Sequence, residues 1–260
     1  MNQQNKFLWD GVDLEELAKR HGTPLYVYSI SKMENQINKL KAAFTDNYPQ
    51  SRIAYASKAF LNKAMVGFIK KQGLCLDVVS GGELQLALEA GMPPERIELN
   101  GNNKLPSEIE LAMKNRVGRI IVDGTEELDL IEYYGKIYNY VVPVLFRITP
   151  GITADSHEYI ITGRKDSKFG FPLDENLLPH IEKALNGNFI DFYGFHFHLG
   201  SQLFEHNIYV DALDLLFNYI DTYLSASLEI KELNIGGGFG INYLPEDRAK
   251  GYEEFFLPVL

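Results

Sequence analysis

The stretch Ile53-Ala54-Tyr55-Ala56-Ser57-Lys58-Ala59 decides the fold. Period two along an extended chain sends Ala54, Ala56 and Lys58 to one face and Ile53, Tyr55 and Ser57 to the other. Two alanines leading to a lysine describe a narrow strand face that ends in a single amine. At the mouth of a barrel and partly out of water, such an amine is able to attack an aldehyde, because desolvation favours its neutral form. The plainer alternative is a rim lysine pointing into solvent, as most of the 25 Lys and Arg residues must. The neighbouring segments have to choose between the two.

Downstream, short apolar β-rich runs begin near Arg52, Cys75, Arg96, Arg119 and Tyr140, with helices predicted between them over 62–71, 82–90, 106–115 and 125–134. Two later strands are predicted over 190–198 and 232–235. Regular alternation of this kind is the pattern of a parallel sheet with crossover helices. The expectation is an α/β (β/α)8 TIM-barrel-like domain with seven visible strands, truncated before the eighth. An open doubly wound sheet also suits seven strands, but the even spacing and the absence of a GxGxxG motif favour the barrel. Upstream lie a helix over 13–21, a strand over 25–28 and a helix over 30–44 capped by Ser29. The chain therefore divides into an N-terminal helix/strand segment, 1–45, and the barrel, 46–260. Residues 149–171 form a polar, Gly-rich connection, too long to be an ordinary loop, at the strand end where parallel α/β enzymes place their sites. The final run, 252–260, is apolar and helix-like with no following strand, the ending expected of a longer chain.

A net charge of -10 and a pI near 5.1 argue against nucleic acid or an anionic membrane as partner and for a small molecule. Cys75 is the single cysteine, which excludes an intrachain disulfide and a cysteine metal cluster and suits a reducing compartment. The opening residues have no signal-peptide pattern and no run of 18 apolar residues follows, so a cytoplasmic protein is expected.

Four further groups carry chemistry. Gly236-Gly237-Gly238-Phe239-Gly240 follows the seventh strand, where barrels bind phosphate through backbone N–H groups; a flexible turn is the alternative. In the sixth strand Gly194, His196 and His198 share the inner face, while Tyr193, Phe195 and Phe197 face the helices. The two histidines suit a metal pair, an imidazole packed on a flat cofactor, or one core and one rim residue. Asp77 ends the second strand at depth, and Glu83 sits in the first turn of the next helix, where it serves either a site or the helix dipole. Arg147 lies among Val144, Leu145, Phe146 and Ile148, so it pairs with a buried carboxylate or faces a ligand.

Taken in order, Tyr55-Ala56-Ser57-Lys58-Ala59, Asp77-Val78-Val79-Ser80-Gly81-Gly82-Glu83, His198-Leu199-Gly200-Ser201-Gln202 and the glycine run resemble the alanine-racemase-like fold of pyridoxal-phosphate enzymes. The segment from Pro150 to Gly163, with Asp166-Ser167-Lys168-Phe169-Gly170-Phe171, narrows the resemblance to the diaminopimelate decarboxylase family. The resemblance implies pyridoxal 5'-phosphate as cofactor and no metal. Lys58 would bond its aldehyde, His198 would stack on its ring, and Ser201, Gly236, Gly237 and Gly238 would bind its phosphate. Asp77, Glu83 and Arg147 would support the site. The implied activity is that of a carboxy-lyase of lysine biosynthesis, taking meso-2,6-diaminopimelate to L-lysine and CO2, with a homodimer as the full-length form. That family continues into an eighth strand bearing Glu-Pro-Gly-Arg and a β-domain that completes the substrate site, so the 260 residues alone are expected to be catalytically incomplete. Rival expectations are decarboxylases of ornithine, arginine or carboxynorspermidine, a barrel-only pyridoxal-phosphate-binding homeostasis protein without decarboxylase activity, and a metal hydrolase built on His196 and His198.

Overall fold

The computed structural model describes residues 7–152 and 168–260. Strands β1 (Leu8–Trp9) and β2 (Val12–Asp13) pair as a hairpin whose Asp10 and Gly11 both take positive φ. An Asp-Gly pair suits that turn because both positions tolerate the left-handed region. Helix α1 (Leu14–His21) follows, with the Asp13 carboxylate accepting from Glu15 N and Glu16 N. Helix α2 (Ile30–Ala43) starts at Ser29, as its sequence predicts. The strand predicted over 25–28 does not form: these residues join no ladder among the described residues, and Tyr26 is 87% exposed. Apolar alternation becomes a strand only where a neighbour supplies hydrogen bonds.

The rhythm beginning at Lys58 is realised throughout. Strand β3 (Ala54–Ala56) is followed in turn by α3 (Lys63–Lys71), β4 (Cys75–Val78), α4 (Gly81–Glu89), β5 (Ile97–Leu99) and α5 (Pro106–Asn115). Then come β6 (Arg119–Val122), α6 (Thr125–Tyr138), β7 (Val142–Thr149), the two-residue β8 (Phe171–Pro172) and α7 (Leu178–Leu185). The last elements are β9 (Ile190–His196), α8 (Asn207–Tyr223), β10 (Glu232–Asn234) and α9 (Tyr252–Phe256). The sheet runs β10-β9-β7-β6-β5-β4-β3, all parallel, with β8 beside the end of β7. Each crossover moves one place in the same direction, so the strand order never reverses as it does in a doubly wound sheet. Among the described residues the product is a seven-stranded half-barrel whose first and last strands do not pair. Most of the connection between β7 and β8, residues 153–167, lies outside the described residues, and with it the expected substrate-discriminating segment.

The apolar core lies between the sheet and its helices. Val144, Phe146 and Ile148 of β7 pack there with Phe192 and Phe195 of β9, together with Ile109, Leu128 and Ile181 from the helices. The inner face is polar instead, carrying Asp77, Glu98, Asn100, Arg119, Arg147, His196, Glu232 and Asn234. Such a surface binds a ligand in place of the branched apolar layers that fill an ordinary barrel. One expected orientation is overturned. The ladder between β7 and β9 skips Tyr193, because Val144 pairs with Phe192 and Leu145 with Gly194. This bulge shifts the phase of β9, so Tyr193 leaves the helix-facing side and lies against Arg119, 4.7 Å away.

Candidate active site

Strand β3 stops at Ala56, and Ser57–Ala59 form a single 3-10 turn. Lys58 therefore leaves the strand end instead of continuing its inner face. Ser57 is buried and Lys58 is exposed in the described chain. Lys58 nonetheless borders a cavity of about 1660 Å³ inside the half-barrel. Asp77, Arg147, His198, Ser201, Gly236, Gly237 and Gly238 line the same cavity. Glu83 stands apart: its carboxylate accepts from Val79 N at 2.7 Å while Ser80 Oγ accepts from Glu83 N at 3.3 Å. It stabilises the start of α4.

Burial dominates the electrostatics of the lining. It pushes the Asp77 carboxyl up to about 6, against the opposing pull of Asn100, Lys58 and Arg147. Asp77 and Glu98 are directly opposite on β4 and β5. Burial, then the charges of Asp77 and Glu232, pushes Glu98 up to about 8. Asp77 thus ionises first, and its charge delays Glu98. Burial also brings His198 down to about 4, assisted by Lys58 and Arg147, so its ring is neutral at pH 7. Gly237 N–H donates to His198 Nδ1 at 3.4 Å, which leaves the ring proton on Nε2. His196 is held well below its usual value, chiefly by burial, and its Nδ1 has no partner among the described residues.

Arg147 is 8% exposed. Its Nη1 lies 3.5 Å from Asp123 Oδ1, an ion contact too long and poorly aligned for a good hydrogen bond, and the Phe169 ring covers its guanidinium at 4.3 Å. Gly170, at φ +65°, lets the backbone lie against Arg147, since a Cβ there would meet Arg147 O at 2.5 Å.

The glycine turn rests on the segment after β9. A Cβ at Gly236 would lie 2.3 Å from Phe197 O, and one at Gly238 would lie 1.9 Å from Gly200 O. Both residues also take positive φ, so packing and backbone conformation each demand glycine. Gly237 differs, because a Cβ there would meet nothing within 4 Å and would enter the cavity. Gln202 ties the Ser201 loop to this turn through Ile241 N and O, both at 2.9 Å.

Asn100, Lys104, Glu98 and Asn234 also line the cavity and were not foreseen. The available signal was the triplet Glu-Leu-Asn, present at 98–100 and again at 232–234, which sets polar residues two apart in otherwise apolar strands. Lys104 Nζ is satisfied by Gly101 O at 2.8 Å and by both Glu127 oxygens, at 3.0 and 2.8 Å. Among the described residues no group of three or more His, Cys, Asp or Glu side chains is arranged to hold a metal ion.

An amine, a neutral imidazole and a bare glycine turn around one cavity have a counterpart among known proteins. The family model for the pyridoxal binding domain of pyridoxal-dependent decarboxylases matches residues 34–257. The chain belongs to that family. Diaminopimelate decarboxylases of Bacillus methanolicus and Bacillus subtilis are each 43% identical to it, over 95% and 100% of this chain and 58% and 60% of theirs. The diaminopimelate decarboxylase of M. jannaschii, solved in complex with L-lysine, superposes with a TM-score of 0.89 at 31% identity, covering 100% of this chain and 61% of that one. The chain thus spans about three fifths of these relatives' length.

The cofactor of a pyridoxal-dependent decarboxylase domain is pyridoxal 5'-phosphate, and the cavity fits it. Gly237 lines the cavity and has open space where a Cβ would stand. Asp77 Oδ1 and His196 Nδ1, both shielded from water, have no hydrogen-bond partner among the described residues, as expected of groups placed for a polar ligand.

Proposed function

We propose that this chain is the cofactor-binding part of a diaminopimelate decarboxylase, which removes CO2 from meso-2,6-diaminopimelate and releases L-lysine. The observation that carries the proposal is the convergence of Lys58, His198 and the turn Gly236, Gly237, Gly238 on one cavity in a chain 43% identical to such enzymes. Pyridoxal phosphate, when bound, supplies the electron sink for loss of the carboxylate. The chain's residues do the rest. Lys58 Nζ would hold the cofactor through its aldehyde and is the amine placed to move a proton at the substrate. The neutral His198 offers a flat, uncharged face to the ring, and Ser201 with the glycine turn holds the phosphate. Arg147 and Asp77 set the charge around the reacting atoms, and Asp77 switches ionisation near pH 6. In this proposal the whole protein is a cytoplasmic homodimer; no described helix is long and apolar enough to cross a membrane.

Borohydride reduction of the cofactor-loaded protein, followed by peptide mass spectrometry, tests the central assignment. Wild type should carry the reduced pyridoxyl group on Lys58 and Lys58→Ala should carry none; a label on another lysine overturns the assignment. Release of CO2 by the full-length protein tests the substrate. Preference for ornithine over meso-diaminopimelate would refute the specific reaction while sparing the cofactor site.

A further inference from the structure

The glycine turn is attached to an edge strand of the sheet. Strand β10 has three residues, all half-buried, and among the described residues its ladder partner is β9. The far side of the turn is held by the segment after β9, where Leu203 N–H donates to Gly238 O at 2.9 Å and Gly240 N–H donates to Leu203 O at 2.8 Å. Besides His198, two side chains bond the backbone at its start. Gly236 N–H donates to Asn234 Oδ1 at 2.9 Å, and Tyr209 OH, from the buried face of α8, donates to Gly237 O at 2.8 Å. Asn234 is itself held across the barrel, since its Nδ2 donates to Glu98 Oε2 at 3.2 Å. The carboxamide of Asn234 thus joins the central strand β5 to the backbone of the turn.

We propose that Asn234, oriented by Glu98, is a positioning residue for the phosphate end of the cofactor site. Its carboxamide engages the Gly236 N–H, sets the direction of the turn and leaves Gly237 and Gly238 facing the cavity. The chemistry of the pair suits the task. Asn234 spends its acceptor on Gly236 and its donor on Glu98, so its orientation is fixed at both ends. Glu98 is largely an uncharged acid at pH 7, so the anchor places little negative charge near a bound anion. The inference rests on the pyridoxal-phosphate reading of the site.

The test measures, with the full chain, equilibrium affinity for pyridoxal 5'-phosphate and for pyridoxal, which lacks the phosphate. Wild type should prefer the phosphorylated form strongly; equal affinity for the two would overturn the cofactor reading itself. In Asn234→Ala, affinity for pyridoxal phosphate should fall about tenfold to a hundredfold, the loss expected for a buried hydrogen bond, with pyridoxal binding nearly unchanged. Asn234→Asp keeps the acceptor for Gly236 but loses the donor to Glu98 and adds a charge, so it should recover only part of the preference. Glu98→Met, which leaves Asn234 in place but unanchored, should lose an intermediate part, and Glu98→Gln should not. If Asn234→Ala does not fold, Glu98→Met against Glu98→Gln still decides. Full phosphate preference in Glu98→Met, or equal losses for both ligands in any folded variant, overturns the proposal.

Discussion

The centre and the edges of this half-barrel are stabilised in different ways. Every residue of β5 is buried, as are seven of the eight in β7, whereas all residues of β3 and β10 are only half-buried. Yet Lys58 and the glycine turn, the groups nearest the proposed chemistry, leave the two edge strands. Their positions depend on directional polar links across the barrel. Arg52, just before β3, and Arg119 of β6 both bind Glu232 of β10, and Asn234 binds Glu98. A core of close-packed aromatics sets where the sheet lies, while ion pairs at the opening ends of the strands and a hydrogen bond across the barrel tie its two edges together.

The sharpest way to break this contrast is to delete equivalent apolar bulk from each region. Leu99→Ala, in the fully buried β5, should cost about 2–5 kcal/mol, and Leu233→Ala, on the half-buried edge, about 1 kcal/mol, both read from urea denaturation. Equal costs would abolish the distinction.

The next effect is a pH dependence carried by the inner face. Glu98 and Asp77 both have raised pKa values in the fold, so the folded state holds their protons more tightly than the unfolded chain does. Their stabilisation is complete below the ordinary carboxylate range. It is lost as pH rises, toward about 6 for Asp77 and about 8 for Glu98. For Glu98 the loss by pH 7 should reach up to about 3 kcal/mol. Unfolding midpoints measured from pH 4 to 8 should fall in wild type and fall less in Glu98→Gln; parallel curves would show that Glu98 is not a buried acid.

Smaller effects separate the cross-barrel link from ordinary surface charge. Glu232→Gln removes the shared partner of Arg52 and Arg119 and should cost about 1–2 kcal/mol, with weaker retention of pyridoxal phosphate on dialysis. Lys183→Ala breaks the exposed pair with Asp129 and should cost under about 0.5 kcal/mol with no effect on the cofactor. A comparable cost for both would make Glu232 one more surface charge.

Much of the fold was legible because its signals are local. The spacing from Arg52 onward located seven parallel strands, and the glycine run marked the turn where both packing and φ demand it. The same locality explains the errors. Alternation over 25–28 had no neighbour to pair with, and the period carried through Ser57 and Tyr193 was interrupted by a 3-10 turn and by a bulge. Asn234 and Glu98 escaped notice because 136 residues separate them and only the curl of the sheet brings them within 3.2 Å.

By itself, then, the sequence determined the strand rhythm, the lysine and the glycine turn, since each follows from period, composition or the geometry of residues close in the chain. Only the tertiary structure decided that Lys58 turns off the strand end, that Glu83 serves its own helix, and that a polar inner face ties the edges together. Burial and cross-barrel contact arise from folding the sheet back on itself, and no run of neighbouring residues encodes them.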